Sequence, residues 1–153
     1  MGVYDTVTAS DQLLRCDDIL ELKYQILPML QDQRSQWKEK IEEILKTSRL
    51  SCKDFAALCK VSETAVRKWR NGSLPQSRDM FIRIGFAAGY DLEQMNAFLQ
   101  RYGRCPQLYI KSLADSVCMF VLNSQYLPHT YKCYQDTLAY IMSESERDPG
   151  SSL

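Results

Sequence analysis

LSCKDFAALCKVSETAVRKWRNG, residues 50–72 of the 153-residue chain, contains two short helical patterns separated by a tight break. In the first pattern Ser51 is a good N-cap, and Phe55, Ala56 and Cys59 recur at the spacings of one buried helical face. The break falls at Lys60–Val61. This half of the stretch therefore predicts a short helix that ends in a turn.

The second helical pattern begins at Ser62, which again has an N-cap side chain. Its apolar residues mark an inner face: Ala65, Val66 and Trp69. Asn71–Gly72 is predicted to end this helix, because glycine readily adopts the left-handed conformation that follows a last helical turn. Two short helices joined in this way predict a helix-turn-helix, the unit that lays its second helix in the DNA major groove.

Residues 37 to about 90 resemble the DNA-binding domain of the phage-repressor family, also called lambda-repressor-like or Xre. The family has Leu-Ser before its second helix, an apolar-Ala pair within it, an apolar residue closing the turn, Ser opening the third helix and Asn-Gly ending it. This chain has the same order without insertion or deletion at Leu50–Ser51, Phe55–Ala56, Val61, Ser62 and Asn71–Gly72. The resemblance covers about a third of the chain and implies an all-α domain of five helices.

The resemblance also implies which residues contact DNA. The start of the third helix reads bases in this family, and the ends of the second and third helices contact phosphates. The corresponding candidates for contact with base edges or nearby phosphates are Glu63, Thr64, Arg67 and Lys68, and the candidates for contact with the DNA backbone are Ser51, Cys52, Arg70 and Asn71. Their chemistry is suitable, because Arg and Lys donate to guanine, Thr contacts thymine and Glu accepts from the cytosine amino group. Glu63 has an equally good structural interpretation, since a carboxylate in the first turn complements the helix dipole.

Three residues differ from the family pattern at positions near the DNA. Lys60 replaces the usual glycine of the turn, so we expect the turn to be slightly remodelled to avoid strain. Cys52 replaces a frequent glutamine, and a thiol cannot bridge a phosphate and a neighbouring side chain as an amide does. Glu63 also replaces a frequent glutamine, and its negative charge should discourage indiscriminate binding to phosphates.

Charge is distributed unevenly along a chain that is formally neutral overall. Residues 36–90 contain 11 basic and 6 acidic residues (net +5), whereas residues 1–35 have a net charge of −3 and residues 91–153 of −2. Positive charge is thus concentrated around the helix-turn-helix, which favours a phosphate-binding surface over a merely solvated helix.

The rest of the chain also predicts helices. An N-terminal amphipathic helix, marked by Leu13, Cys16, Leu20, Tyr24 and Leu27, should stop near Pro28, because proline removes a backbone donor. Three further stripes lie on either side of the motif: Trp37, Ile41, Ile44 and Leu45; Phe81, Ile84 and Ala88; and, after an Asp91 cap, Leu92, Met95, Leu99 and Tyr102. A sixth helix is predicted from Ser112 to Ser124, with Leu113, Val117, Phe120 and Val121 apolar, and a seventh follows Pro128.

These patterns predict an all-α fold, with a five-helix repressor-like helix-turn-helix domain, an added N-terminal helix and one or two C-terminal helices. The predicted boundaries are an N-terminal helical extension (1–35), the DNA-binding domain (36–103), a C-terminal helical extension (104–142) and a disordered tail (143–153).

Neither a cofactor nor a metal is expected. The six cysteines form no Cys-x-x-Cys pair, and several lie on apolar helix faces, where a thiol acts as a small hydrophobic group in a reduced compartment. His129 and Cys133 are four residues apart, but two ligands do not complete a zinc site. The longest apolar runs are far shorter than the roughly 20 residues that span a bilayer, so we expect a cytoplasmic protein without membrane contact.

The sequence therefore predicts a DNA-binding transcriptional regulator, with repression as the expected outcome and double-stranded DNA and a second copy of the chain as partners. No nucleotide-binding loop or hydrolase motif is present, so we do not expect an enzyme. The alternative is a protein-interaction module that keeps the helix-turn-helix shape without specific DNA binding. The C-terminal tyrosines would supply its surface, unless they are ordinary core and boundary residues: Tyr102, Tyr109, Tyr126, Tyr131, Tyr134 and Tyr140.

Overall fold

The computed structural model describes residues 18–147. This part of the chain forms seven α-helices and no strand, which confirms the predicted all-α class. The helices are α1 (Ile19–Ser48), α2 (Cys52–Cys59), α3 (Glu63–Arg70), α4 (Arg78–Ala87), α5 (Leu92–Arg101), α6 (Leu113–Asn123) and α7 (Tyr131–Arg147).

The first helix is longer than the sequence predicted. Asp18 caps it by accepting from the Glu21 backbone N–H at 2.7 Å, and the helix then runs without a break through Pro28 to Ser48. The prediction that a separate N-terminal helix stops near Pro28 is therefore wrong. The helix tolerates this proline because Pro28 and Tyr24, whose carbonyl loses its usual donor, are both exposed to water. Leu13 and Cys16 of the predicted stripe lie outside the described residues.

The core forms where the C-terminal half of α1 meets α3, α4 and α5. The predicted stripe of α1 is confirmed, since its four buried residues are Trp37, Ile41, Ile44 and Leu45. Trp37 is fully buried, and its ring lies 5.4 Å from that of Phe81 in α4 and 6.0 Å from that of Phe98 in α5. Aromatic contacts at this spacing contribute beyond the apolar area that they bury.

The two C-terminal helices pack against the same core. Phe86 of α4 contacts Tyr131 and Tyr134 of α7, with ring centroids 6.2 and 6.0 Å apart. Asp115 of α6 is 6% exposed and forms an ion pair with Arg78 of α4, at 2.8 Å between Oδ2 and Nη2. Residues 78–134 are thus held together by buried contacts from α4 to α7.

The two C-terminal helices lie where the sequence predicted them, but the predicted buried face of α6 and the predicted end of α7 are partly wrong. Val117 and Val121 of α6 are buried as expected, whereas Leu113 and Phe120 are exposed. Helix α7 continues to Arg147, so the prediction of disorder from residue 143 is wrong for residues 143–147. The remainder of that predicted tail lies outside the described residues.

Several apolar side chains at the N-terminal end of α1 are exposed: Ile19, Leu20, Tyr24, Ile26, Leu27 and Met29. No residue of α1 before Trp37 is buried. Over residues 18–147, no helix combines the length and the apolar character needed to cross a membrane.

Candidate nucleic-acid interface

Helix α2 has the predicted geometry, whereas the turn after it differs from the prediction in one respect. The Ser51 hydroxyl accepts from the Asp54 backbone N–H at 3.1 Å and so caps α2. Lys60 ends the helix with φ 56° and ψ 47°, the left-handed conformation that favours glycine. The expected remodelling of this turn does not occur, so Lys60 retains a strain of roughly 1 kcal/mol.

Arg83 of α4 forms hydrogen bonds to the turn between α2 and α3. Its guanidinium donates to the backbone carbonyls of Cys59 and Lys60 at 3.4 and 3.3 Å, two acceptors left over at the end of α2. The same side chain pairs with Asp79 at 2.9 Å and lies 4.9 Å from the centre of the Tyr131 ring. These contacts join the turn before α3 to both α4 and α7.

Helix α3 has one buried face and one exposed face. Ser62 caps it by accepting from the Ala65 backbone N–H at 3.2 Å, and Val66 and Trp69 are buried. A polar face lies on the other side, at helical spacings of three and four: Thr64, Arg67, Lys68 and Asn71. Gly72 follows with φ +99°, which confirms the predicted helix end.

An ion pair between Glu63 and Arg67 spans the first turn of α3. Arg67 Nη2 lies 2.7 Å from Glu63 Oε1, with side-chain exposures of 68% and 42%. The hydrogen bond that Arg67 donates to Glu63 raises the pKa of Arg67 above its usual value. Because both groups are in contact with water, the pair contributes little to folding.

A second ion pair joins the end of α3 to α1. Arg70 Nε lies 2.6 Å from Glu42 Oε1, and a second bond joins Nη2 to Oε2 at 3.4 Å. The pKa of Arg70 is raised, chiefly by the hydrogen bond to Glu42 and next by that to Cys52. Arg70 Nη1 is 3.3 Å from the Cys52 sulfur, so the end of α3 lies against the start of α2.

None of the eight predicted contact residues is buried. Cys52 and Glu63 are half-buried, and the others are exposed: Ser51, Thr64, Arg67, Lys68, Arg70 and Asn71. The structure brings together Cys52 with Arg70 and Glu63 with Arg67, while Lys68 has no ion pair within residues 18–147. Sequence reasoning missed Glu42, because a partner 28 residues away leaves no local signal.

The described cysteines are free thiols: Cys52, Cys59, Cys105, Cys118 and Cys133. Burial raises the thiol pKa of Cys59 and Cys118 to about 12, so these two are poorly reactive at neutral pH. His129 Nε2 lies 2.6 Å from the Ser124 carbonyl oxygen, to which it donates. No cluster of three or more potential metal ligands occurs in the part of the chain that the structure describes.

The C-terminal tyrosines divide between core and surface. Tyr131 and Tyr134 are buried against α4, which fits the interpretation as ordinary packing residues. Tyr109, Tyr126 and Tyr140 are 57%, 94% and 65% exposed.

Comparison with known proteins gave no match to a family model, a curated protein or a solved structure. The resemblance to the repressor family therefore stays a prediction that depends on the residues of the 37–90 segment.

Proposed function

We propose that the chain is a sequence-specific DNA-binding transcriptional regulator that reads the major groove with the helix from Ser62 to Asn71 and represses by occupying a promoter. One observation carries the proposal: Thr64, Arg67 and Lys68 share the exposed face of α3, and the opposite face is buried. A helix in the major groove needs a polar outer face of this kind, because the base edges present acceptors, donors and the thymine methyl there.

The charge around α3 supports the same function. The segment 36–90 carries a net charge of +5, and a surface of that sign gains affinity by releasing counterions from DNA. The ion pairs that Arg67 and Arg70 form are exposed to water, which screens them, so each stabilises the fold only weakly. DNA phosphates can therefore replace Glu42 as the partner of Arg70 at little cost, and the Arg67 donors that Glu63 does not engage are open to base edges.

We also propose that two copies bind a near-palindromic site, with the spacing of half-sites set by the protein two-fold axis. The support is the family resemblance, and the helices outside α2 and α3 are the proposed elements of self-association. Light scattering at tens of micromolar should give the mass of a dimer, either alone or on DNA. A monomer under both conditions would count against this part of the proposal.

Selection of bound fragments from a random DNA pool tests DNA binding and reports half-site spacing together. We expect an enriched motif, and Arg67→Ala or Lys68→Ala should then lose roughly 1–3 kcal/mol of binding free energy if the residue meets a base. A phosphate contact would give a smaller, sequence-independent loss and a lower salt dependence. Lys111→Ala is the matched control, since this exposed lysine lies outside the helix-turn-helix.

The second candidate function is the protein-interaction module. Two observations favour it: carboxylates already neutralise Arg67 and Arg70, and three tyrosines outside the helix-turn-helix are exposed. If the random pool yields no motif and neither Arg67→Ala nor Lys68→Ala weakens binding to any DNA, this function replaces the first.

A further inference from the structure

We propose that Arg67 reads a guanine and that Glu63 is a positioning residue, which holds the guanidinium for that contact. The DNA target would accordingly contain a G·C pair facing the first turn of α3. The inference rests on the proposed function, because it specifies which DNA the same helix face selects.

The geometry of the pair is suited to this role. Glu63 is the first residue of α3, and Arg67 follows one turn later on the exposed side. One bond of 2.7 Å, from Arg67 Nη2 to Glu63 Oε1, joins them. Since a single carboxylate oxygen engages a single nitrogen, the other guanidinium donors remain available to DNA.

Guanine is the base that this arrangement fits best. It presents two acceptors, O6 and N7, in the major groove, and the planar fork of arginine meets both at once. A side chain already held by a neighbour loses less rotational freedom on binding than one that is free in solution. Glu63 thus favours one orientation of Arg67 before DNA arrives.

The negative charge of Glu63 also decides where the pair can lie. A carboxylate beside a phosphate is repelled, whereas one beside a base edge can accept from the cytosine amino group. Lys68 lies further along the helix and forms no ion pair within residues 18–147, so it is better placed for the DNA backbone than Arg67 or Arg70, which each have a carboxylate partner. The Glu63–Arg67 pair is therefore assigned to the bases.

The test compares the motifs that the full chain and its variants select from a random DNA pool. We expect one G·C position that Arg67→Ala no longer selects and that Arg67→Lys, which keeps the charge but loses the planar fork, selects less strongly. Glu63→Gln should weaken the preference for G·C at the same position, but by less than the substitutions of Arg67 do. Lys53→Gln is the control: it removes an exposed charge from α2 and should lower affinity evenly across sequences.

A modified base then locates the contact. Replacing the selected guanine by 7-deazaguanine removes the N7 acceptor, and we expect a loss of roughly fivefold or more for the native chain but no further loss for Arg67→Ala. An enriched motif without this guanine dependence, or equal losses in both proteins, overturns the assignment and leaves DNA binding intact. Failure to enrich any motif overturns the proposed function itself.

Discussion

Replacing Asp115 by asparagine tests whether the two C-terminal helices belong to the core that supports α3. The Asp115 carboxylate accepts from Arg78 Nη1 and Nη2 at 2.9 and 2.8 Å and from the Tyr109 backbone N–H at 2.8 Å. Arg78 also donates to the carbonyls of Pro106 and Gln107 at 3.1 and 3.0 Å. One carboxylate thus joins α4, the loop before α6 and α6 itself.

The expected loss of stability in Asp115→Asn depends on how deeply the ion pair is buried and on which hydrogen bonds asparagine can still accept. Removing one charge from a buried ion pair costs roughly 3–5 kcal/mol, because the partner is left without its counter-charge. The Arg78 side chain is 29% exposed and can be partly hydrated, and asparagine keeps one acceptor oxygen. We therefore expect Asp115→Asn to lower the free energy of unfolding by about 2–4 kcal/mol at neutral pH.

The same pair makes stability depend on pH in the acid range. Burial alone would raise the pKa of Asp115, but hydrogen bonds from Arg78 and from the Tyr109 N–H bring it below its usual value. The folded chain then holds the proton less readily than the unfolded chain, so protonation favours unfolding. The contribution of Asp115 is complete above an unfolded pKa of about 3.9 and is lost as the pH falls through the lower, folded pKa.

Urea unfolding followed by tryptophan fluorescence measures both effects, since Trp37 and Trp69 are buried. The difference in the free energy of unfolding between the native chain and Asp115→Asn should become smaller as the pH is lowered from about 6 to about 3. Asp136→Asn is the control: this carboxylate is exposed on α7, and its loss should change stability by no more than about 0.5 kcal/mol. A neutral effect of Asp115→Asn, or a gap that stays constant with pH, would refute the reasoning.

Three further predictions concern the surface around α3. Lys60→Gly should raise the free energy of unfolding, measured in urea, by about 0.5–1 kcal/mol. The reason is that Lys60 has φ 56°, a conformation that glycine adopts without steric penalty. A loss of stability would contradict this prediction. Glu63→Gln should raise affinity for random-sequence DNA by roughly two- to fivefold in fluorescence anisotropy, since it removes a negative charge and releases Arg67; unchanged affinity would count against a DNA-facing Glu63. The Cys52 sulfur lies 3.3 Å from Arg70, so alkylation of Cys52 should weaken DNA binding by the native chain. The same treatment should leave DNA binding by Cys52→Ser unchanged. Unchanged affinity of the native chain after confirmed modification would show that the thiol does not face DNA.

Local signals made the centre of the chain predictable. Serine at positions 51 and 62 caps α2 and α3 as expected, and Gly72 follows the end of α3 with positive φ. Each of these features depends on side-chain-to-backbone bonds within three residues or on the conformational freedom of glycine. Such interactions are encoded next to the residues that they order, so one sequence is enough to find them.

Features that depend on distant residues were not predictable in the same way. Proline normally ends a helix, but α1 continues through Pro28, where Pro28 and the residue four positions earlier are both exposed to water. The partners of Arg70 and Arg78 lie 28 and 37 residues away along the chain, so no spacing rule identifies Glu42 or Asp115. The eight predicted contact residues could be named from a pattern, but the pairing of Arg70 with Glu42 could not.

Arg83 connects the turn before α3 to the C-terminal helix α7. The sequence-based division into a DNA-binding domain (36–103) and a C-terminal extension (104–142) did not predict this connection. Arg83 holds the carbonyls at the turn before α3, and Tyr131 of α7 packs on its guanidinium while donating to Asp79 at 2.8 Å. Lys60 adds an exposed bond from the turn itself to α7. The proposed base-reading role would require α3 to be held to within a fraction of an ångström, and through these contacts α4 and α7 would share that task with α2.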